Sequence, residues 1–184
     1  MRLRFNEAQA TQAAAFLLQL RGRKMKYLKL IKLLYIADRE ALARWGKPVT
    51  NDRYVSMKEG PVVSNIYNLI RSEPQPCDQT VWHQHIRTVA DWDVELVVDA
   101  PNDELSNAEE ELLFEVFNAY GYKNRWAIVD ETHKFPEWKN PGTSSIPITY
   151  RDVLKAVNKS DEETSAALSE LKSLATAQSV LQPA

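Results

Sequence analysis

The feature that most constrains this chain is a carboxylate set among apolar residues. From Lys24 to Trp45 apolar residues recur at helical rather than alternating spacing, with strong helix formers throughout and no internal Gly or Pro. One long helix is predicted, stopped by Gly46 and Pro48. On a wheel of about 100° per residue, Lys29, Lys32, Arg39 and Glu40 fall on one side. Leu30, Ile31, Leu34, Tyr35, Ala37, Ala41, Leu42 and Trp45 fill a broad arc opposite, and Asp38 lies near the middle of that arc. An ionised carboxylate buried there is costly unless paired or hydrogen-bonded, so the fold must supply a partner. Arg53, Lys58 or the free backbone N–H groups opening the next helix are the expected ones. A catalytic Asp38 would need a second titratable group, a nucleophile or a metal ligand beside it, and none is evident; a clamp tying the helix to the following connector is the better reading.

The rest of the chain reads as a predominantly helical α+β domain. Asn6 with Gln9 caps a first helix over Glu7 to Leu20, ended by Gly22. Val49 to Lys58 is a polar, β-branched connector, and Gly60-Pro61 then opens a third helix over Pro61 to Arg71. Two prolines make Glu73 to Pro76 a loop. Alternation from Val81 to Arg87, followed by Val94 to Val98 after an Asp-Trp-Asp link, predicts a small β-hairpin or short antiparallel sheet. Ser106 and Glu109 form a capping box before a helix ending at Gly121, and Asn124 caps a short helix through Trp126 and Val129. Thr149 with Asp152 and Ser160 with Glu163 open two last helices, the final one reaching about Ala175. Residues 1–176 are expected to form one domain, with 177–184 a frayed end.

Charge is divided along the chain. Up to Ser72 there are 14 Lys+Arg against 5 Asp+Glu, and beyond it 9 against 20. Mutual attraction of the two halves in the folded state is the simpler reading, and attraction of an acidic partner the other. The basic run Arg21, Arg23, Lys24, Lys26, Lys29 and Lys32 is the best nucleic-acid signal, but the segment Val62 to Ile70 that would serve as a recognition helix carries no Lys or Arg. A solvated helix face is preferred, and nucleic acid is not expected as a partner. His83 and His85, two apart on a predicted strand, share a face, yet with only His133 and Cys77 besides they make no metal site. A single cysteine forms no internal disulfide, and no apolar run has the length of a signal sequence or membrane span, so a reducing cytoplasm is the expected compartment. There is no phosphate-binding glycine loop, nucleophile elbow or zinc-binding helix, and no cofactor is expected. Trp126, Phe135 and Trp138 with His133 cluster around the loop Asp130 to Asn140, as core or as interface.

Several separated stretches together resemble a known family. Leu30-Ile31-Lys32-Leu33-Leu34-Tyr35-Ile36-Ala37-Asp38-Arg39-Glu40, Trp45-Gly46-Lys47-Pro48-Val49-Thr50 and Tyr54 to Ser64, with Tyr67 beyond, are similar to the Panacea domain of SocA-like antitoxins and proteolytic adaptors. Glu109 to Tyr120, Trp126, Thr132-His133, Pro136-Glu137-Trp138 and Ser145-Ile146-Pro147 resemble its later part. The resemblance runs from about Gln19 to Asn158. It implies a compact α+β domain, bacterial or phage-encoded, that is not an enzyme and neutralises a cognate toxin by direct contact. The alternative it implies is an adaptor that delivers the toxin to a protease, with a protease or chaperone as further partner. No appended DNA-binding domain is evident, so the resemblance leaves autoregulation at a promoter open. On this reading Asp38, Lys58, Gly60 and Pro61 shape the scaffold, and Arg39, Tyr54, Trp126, His133 and Trp138 form the expected contact set. An enzyme built on Asp38 and His133 is the competing reading of the same residues.

Overall fold

A computed structural model describes residues 3–72 and 80–181. The expected loop at Glu73 to Pro76 and Cys77 lie outside the described residues. Eight helices and two three-stranded antiparallel sheets are present among the described residues. The α+β class and the predominance of helix stand as expected.

The long helix is α2, Tyr27–Trp45, closed by Gly46 in the left-handed region at φ 70°. It is the central rod of the core. Around it pack α1 (Glu7–Leu20), α5 (Asn107–Tyr120), α6 (Arg125–His133) and α7 (Tyr150–Ala156). The caps expected at Asn6, Ser106, Asn124 and Thr149 all form, and those at Ser106 and Thr149 are full capping boxes. Buried Leu30, Leu33, Leu34, Tyr35, Ala37 and Leu42 fill the space between these helices.

Four boundaries differ from expectation, and at two of them strand pairing overrides the local helical pattern. Lys24–Lys26 is strand β1, not the start of α2, because left-handed Gly22 and Arg23 turn the chain and buried Met25 then pairs with Val94. Gly60–Val63 is strand β3, paired with β2 (Tyr54–Met57), and helix α3 begins only at Ser64 and ends at Arg71. Pro61 therefore sits in a strand and not at a helix start. Val81–His85 is the short helix α4, capped by Thr80, and only Ile86–Val89 (β4) and Asp93–Leu96 (β5) form the expected hairpin. His83 and His85 therefore lie on a helix, where residues two apart do not share a face. The last helix, α8 (Asp161–Leu181), runs past Ala175, and the Arg4 N–H donates to Gln178 Oε1 at 3.2 Å.

Strand β5 joins β1 to β4, while β2 joins β3 to β6 (Ile146–Ile148). Ion pairs Arg23–Asp99, Lys26–Asp93, Arg39–Glu137 and Arg44–Glu115 all link the basic front of the chain to its acidic remainder. The charge asymmetry is thus partly spent inside the molecule. No helix among the described residues is long and apolar enough to cross a membrane.

Candidate functional site

Asp38 is fully buried, and its partners come from the connector after α2. Oδ1 accepts the Thr50 N–H at 2.8 Å, and Oδ2 accepts the hydroxyls of Thr50 at 2.5 Å and Tyr54 at 2.9 Å. Burial pushes its pKa up to about 7 while these three donors pull it back. Neither Arg53 nor Lys58 is involved: Lys58 is exposed in the β2–β3 turn, and Arg53 donates to Asn65 Oδ1. The backbone N–H groups opening α3 go to another carboxylate. Asp52 accepts from Asn65 N at 2.9 Å and Ile66 N at 3.0 Å, supplying the cap that Val63 cannot.

Two lysines expected on a solvated face are buried. Lys29 is 6% exposed and Lys32 is 0% exposed. The Lys32 Nζ donates to the Pro61 carbonyl at 2.7 Å, and burial brings its pKa down to about 7, opposed by the charge of Glu59. A Cβ on Gly60 would stand 2.7 Å from Thr132 Oγ1 and 2.9 Å from Lys32 Nζ. At φ +97° and with no room for a side chain, Gly60 is what lets the β2–β3 turn close over Lys32 and the end of α6.

One turn further along α2, Glu137 is drawn into the core. Its Oε1 accepts from the Tyr35 hydroxyl and from Arg39 Nε, both at 2.9 Å, and its Oε2 has no hydrogen-bond partner among the described residues. The Arg39 guanidinium lies 4.3 Å from the Phe135 ring centre. His133 and Trp138 stack at 4.0 Å, and Trp138 Nε1 donates to the Met57 carbonyl at 3.0 Å. The loop 134–140 is thus stapled to α2 and to the β2–β3 turn. No hydrogen bond joins Asp38 to His133 among the described residues, so the pair required by an enzyme reading is not brought together by one. Burial holds the Tyr35 and Tyr54 phenols well above their usual range, which keeps them as neutral donors.

Of the expected contact set, Tyr54 is 2% exposed and donates its hydroxyl to Asp38. Arg39, His133 and Trp138 are partly covered and tied to other residues as described. Trp126 is exposed. It belongs to a larger surface that sequence reading did not assemble. Tyr27 lies 6.4 Å from Tyr67 and 5.7 Å from Trp92, ring centre to ring centre. The Arg71 guanidinium stands 5.5 Å from the Tyr67 ring and 5.4 Å from that of Trp92. The Arg125 guanidinium is 5.2 Å from the Trp126 ring, and Arg125 and Arg71 are both close enough to Tyr27 to lower its pKa against the rise caused chiefly by burial. The result is one face of four aromatic rings and two arginines.

Trp92 reaches this face at a conformational cost. It closes the β4–β5 hairpin in the three-residue loop Ala90-Asp91-Trp92, where Asp91 at φ 60° and Trp92 at φ 59° both lie in the left-handed region that favours Gly or Asn. A bulky residue there costs about 1–2 kcal/mol, yet Trp92 is 51% exposed, so burial of its own ring does not fully offset it. Strain kept in an exposed aromatic residue points to use at a surface. The Asp-Trp-Asp link, a turn lacking its glycine, was the signal available in the sequence.

Comparison with protein families matches residues 30–139, 110 of the 184, to the family described as antitoxin SocA-like, Panacea domain. The matched span opens inside α2 and closes on the Trp138-Lys139 loop, and so contains every tie to Asp38, Lys32 and Glu137 described above. No curated protein and no solved structure matches the chain.

Proposed function

The chain belongs to the antitoxin SocA-like, Panacea domain family, and from that premise we propose that it neutralises a cognate toxin protein by direct binding. The contact face is built from Tyr27, Tyr67, Arg71, Trp92, Arg125 and Trp126, and no chemical step is required of it. The observation that carries this reading is Trp92, held half-exposed by two left-handed residues beside the Arg71 guanidinium. Trp92, Trp126 and Arg71 are exposed and Tyr27, Tyr67 and Arg125 half-buried, and Trp, Tyr and Arg are the residue types that dominate binding energy at protein interfaces. The two arginines favour an acidic surface on the toxin. Asp38, Lys32 and Glu137 serve as scaffold, fixing α2 against the connector, the β2–β3 turn and the loop 134–140.

The test is co-expression with the product of the adjacent toxin gene. Trp92→Gly suits the turn and removes the ring, so the variant should fold at least as stably as the parent while losing rescue and toxin capture. Full rescue by Trp92→Gly combined with Arg71→Glu would place the contact elsewhere. Toxin levels measured in the same cells separate sequestration, where they hold, from delivery to a protease, where they fall.

A further inference from the structure

A cavity of about 400 Å³ lies on the far side of the connector, where β2 and β6 meet α7, α8 and Leu3. It uses none of the face assigned to the toxin. Its walls are largely apolar, with Tyr54, Ile148, Tyr150, Leu168 and Leu171 around it. The rings of Tyr54 and Tyr150 lie 5.3 Å apart at 56°. Its volume falls in the range of about 300–1,000 Å³ usual for small-molecule sites.

Two further observations give the cavity a chemistry. Asn51 lines it, is 5% exposed, and has an Oδ1 with no hydrogen-bond partner among the described residues. A buried amide oxygen left unmatched costs about 1–3 kcal/mol, so a turn of the Asn51 amide toward an occupant offering an N–H or O–H donor is favoured. Arg53, Arg151 and Lys172 also line the cavity, are exposed, and form no ion pair among the described residues. The one carboxylate in the lining, Asp52, is already committed to the backbone N–H groups of Arg53, Asn65 and Ile66. Three cations therefore stand in the lining, outnumbering its one carboxylate and forming no ion pair with it among the described residues.

We propose that this cavity binds a small organic anion: a flat ring system that lies against Tyr150, carries a donor for Asn51, and ends in a phosphate or carboxylate held by Arg53, Arg151 and Lys172. Charge-assisted bonds to the anion supply orientation, and the apolar walls supply most of the affinity.

Calorimetric titration of the full chain with AMP and with indole-3-acetate tests both anion types, with adenosine and 3-methylindole as the uncharged counterparts. One or both anions should bind with a Kd below about 100 μM, at least tenfold tighter than the uncharged counterpart. The double variant Arg151→Glu, Lys172→Glu changes only exposed residues and should weaken that binding about tenfold or more, with the circular dichroism spectrum unchanged. Asn51→Gly keeps the positive φ of that position without strain and should also weaken it. Binding of AMP alone identifies a phosphate ligand, and of indole-3-acetate alone a carboxylate. Absence of binding by both anions, equal binding of the uncharged counterparts, or full affinity in either variant overturns the proposal.

Discussion

Replacing Lys32 by Met should make the stability of the protein respond differently to pH, and the response can be worked out from where the ammonium sits. Lys32 is 0% exposed and donates to the Pro61 carbonyl, with a folded-state pKa of about 7 against an ordinary 10.5. Between these values the unfolded chain binds more protons than the native one, so the lysine's contribution to stability rises with pH across that window. Below pH 7 both states are protonated and the penalty of burying the charge is present in full. At about 1.36 kcal/mol per unit, raising the pH from 7 to 9 should favour the parent over Lys32→Met by about 2 kcal/mol. Asp38, whose pKa is raised to about 7, has the opposite sign: it loses stability as pH rises from 3.8 toward 7. That background is shared by parent and variant and cancels in the difference. Urea unfolding of both proteins at pH 6, 7, 8 and 9 measures it. A difference in unfolding free energy that stays flat within about 0.5 kcal/mol from pH 7 to 9 would show that Lys32 titrates near its ordinary value, as on a solvated face, and refute the argument.

Gly60→Ala should destabilise the fold by about 2 kcal/mol or more, since the position has φ +97° and a new Cβ would stand 2.7 Å from Thr132 Oγ1; thermal unfolding should show a lower midpoint. Arg39→Met removes the cation that is paired, among the described residues, with the fully buried Glu137 side chain and should cost about 3 kcal/mol, most of it recovered in the double variant Arg39→Met, Glu137→Gln, a coupling that denaturant melts of the four proteins read directly. Thr50→Val deletes one of the three donors to Asp38 and should cost about 1–3 kcal/mol, with a larger loss at pH 8 than at pH 5, because the missing hydroxyl matters most to the ionised carboxylate.

The helices were legible because their signals are local. Asn6, Ser106, Asn124 and Thr149 each mark an N-terminus within three residues, and each caps the helix it was expected to cap. Strands β1 and β3 were missed because what makes them strands is sixty-nine residues away in one case, Met25 to Val94, and in the other the pairing of Pro61 with Ser56. The same divide runs through the site. Asp38 could be identified as buried from its place on the helix wheel, since an apolar arc is periodic information. Its partners Thr50 and Tyr54 could not be chosen over Arg53 and Lys58, since sequence order says nothing about which side chain of a connector turns inward. Lys32 was misjudged for a physical reason: a wheel assigns a lysine to solvent, while the free energy here is set by an acceptor, the Pro61 carbonyl, that exists only once the β2–β3 turn closes. Trp92 stands between the two cases. Its turn is local, a three-residue loop, but its neighbours Tyr27 of α2 and Tyr67 and Arg71 of α3 come from two other elements. On the proposed reading, a face assembled in this way can be varied one residue at a time while the buried ties of α2 to Thr50, Tyr54, Pro61 and Glu137 stay fixed.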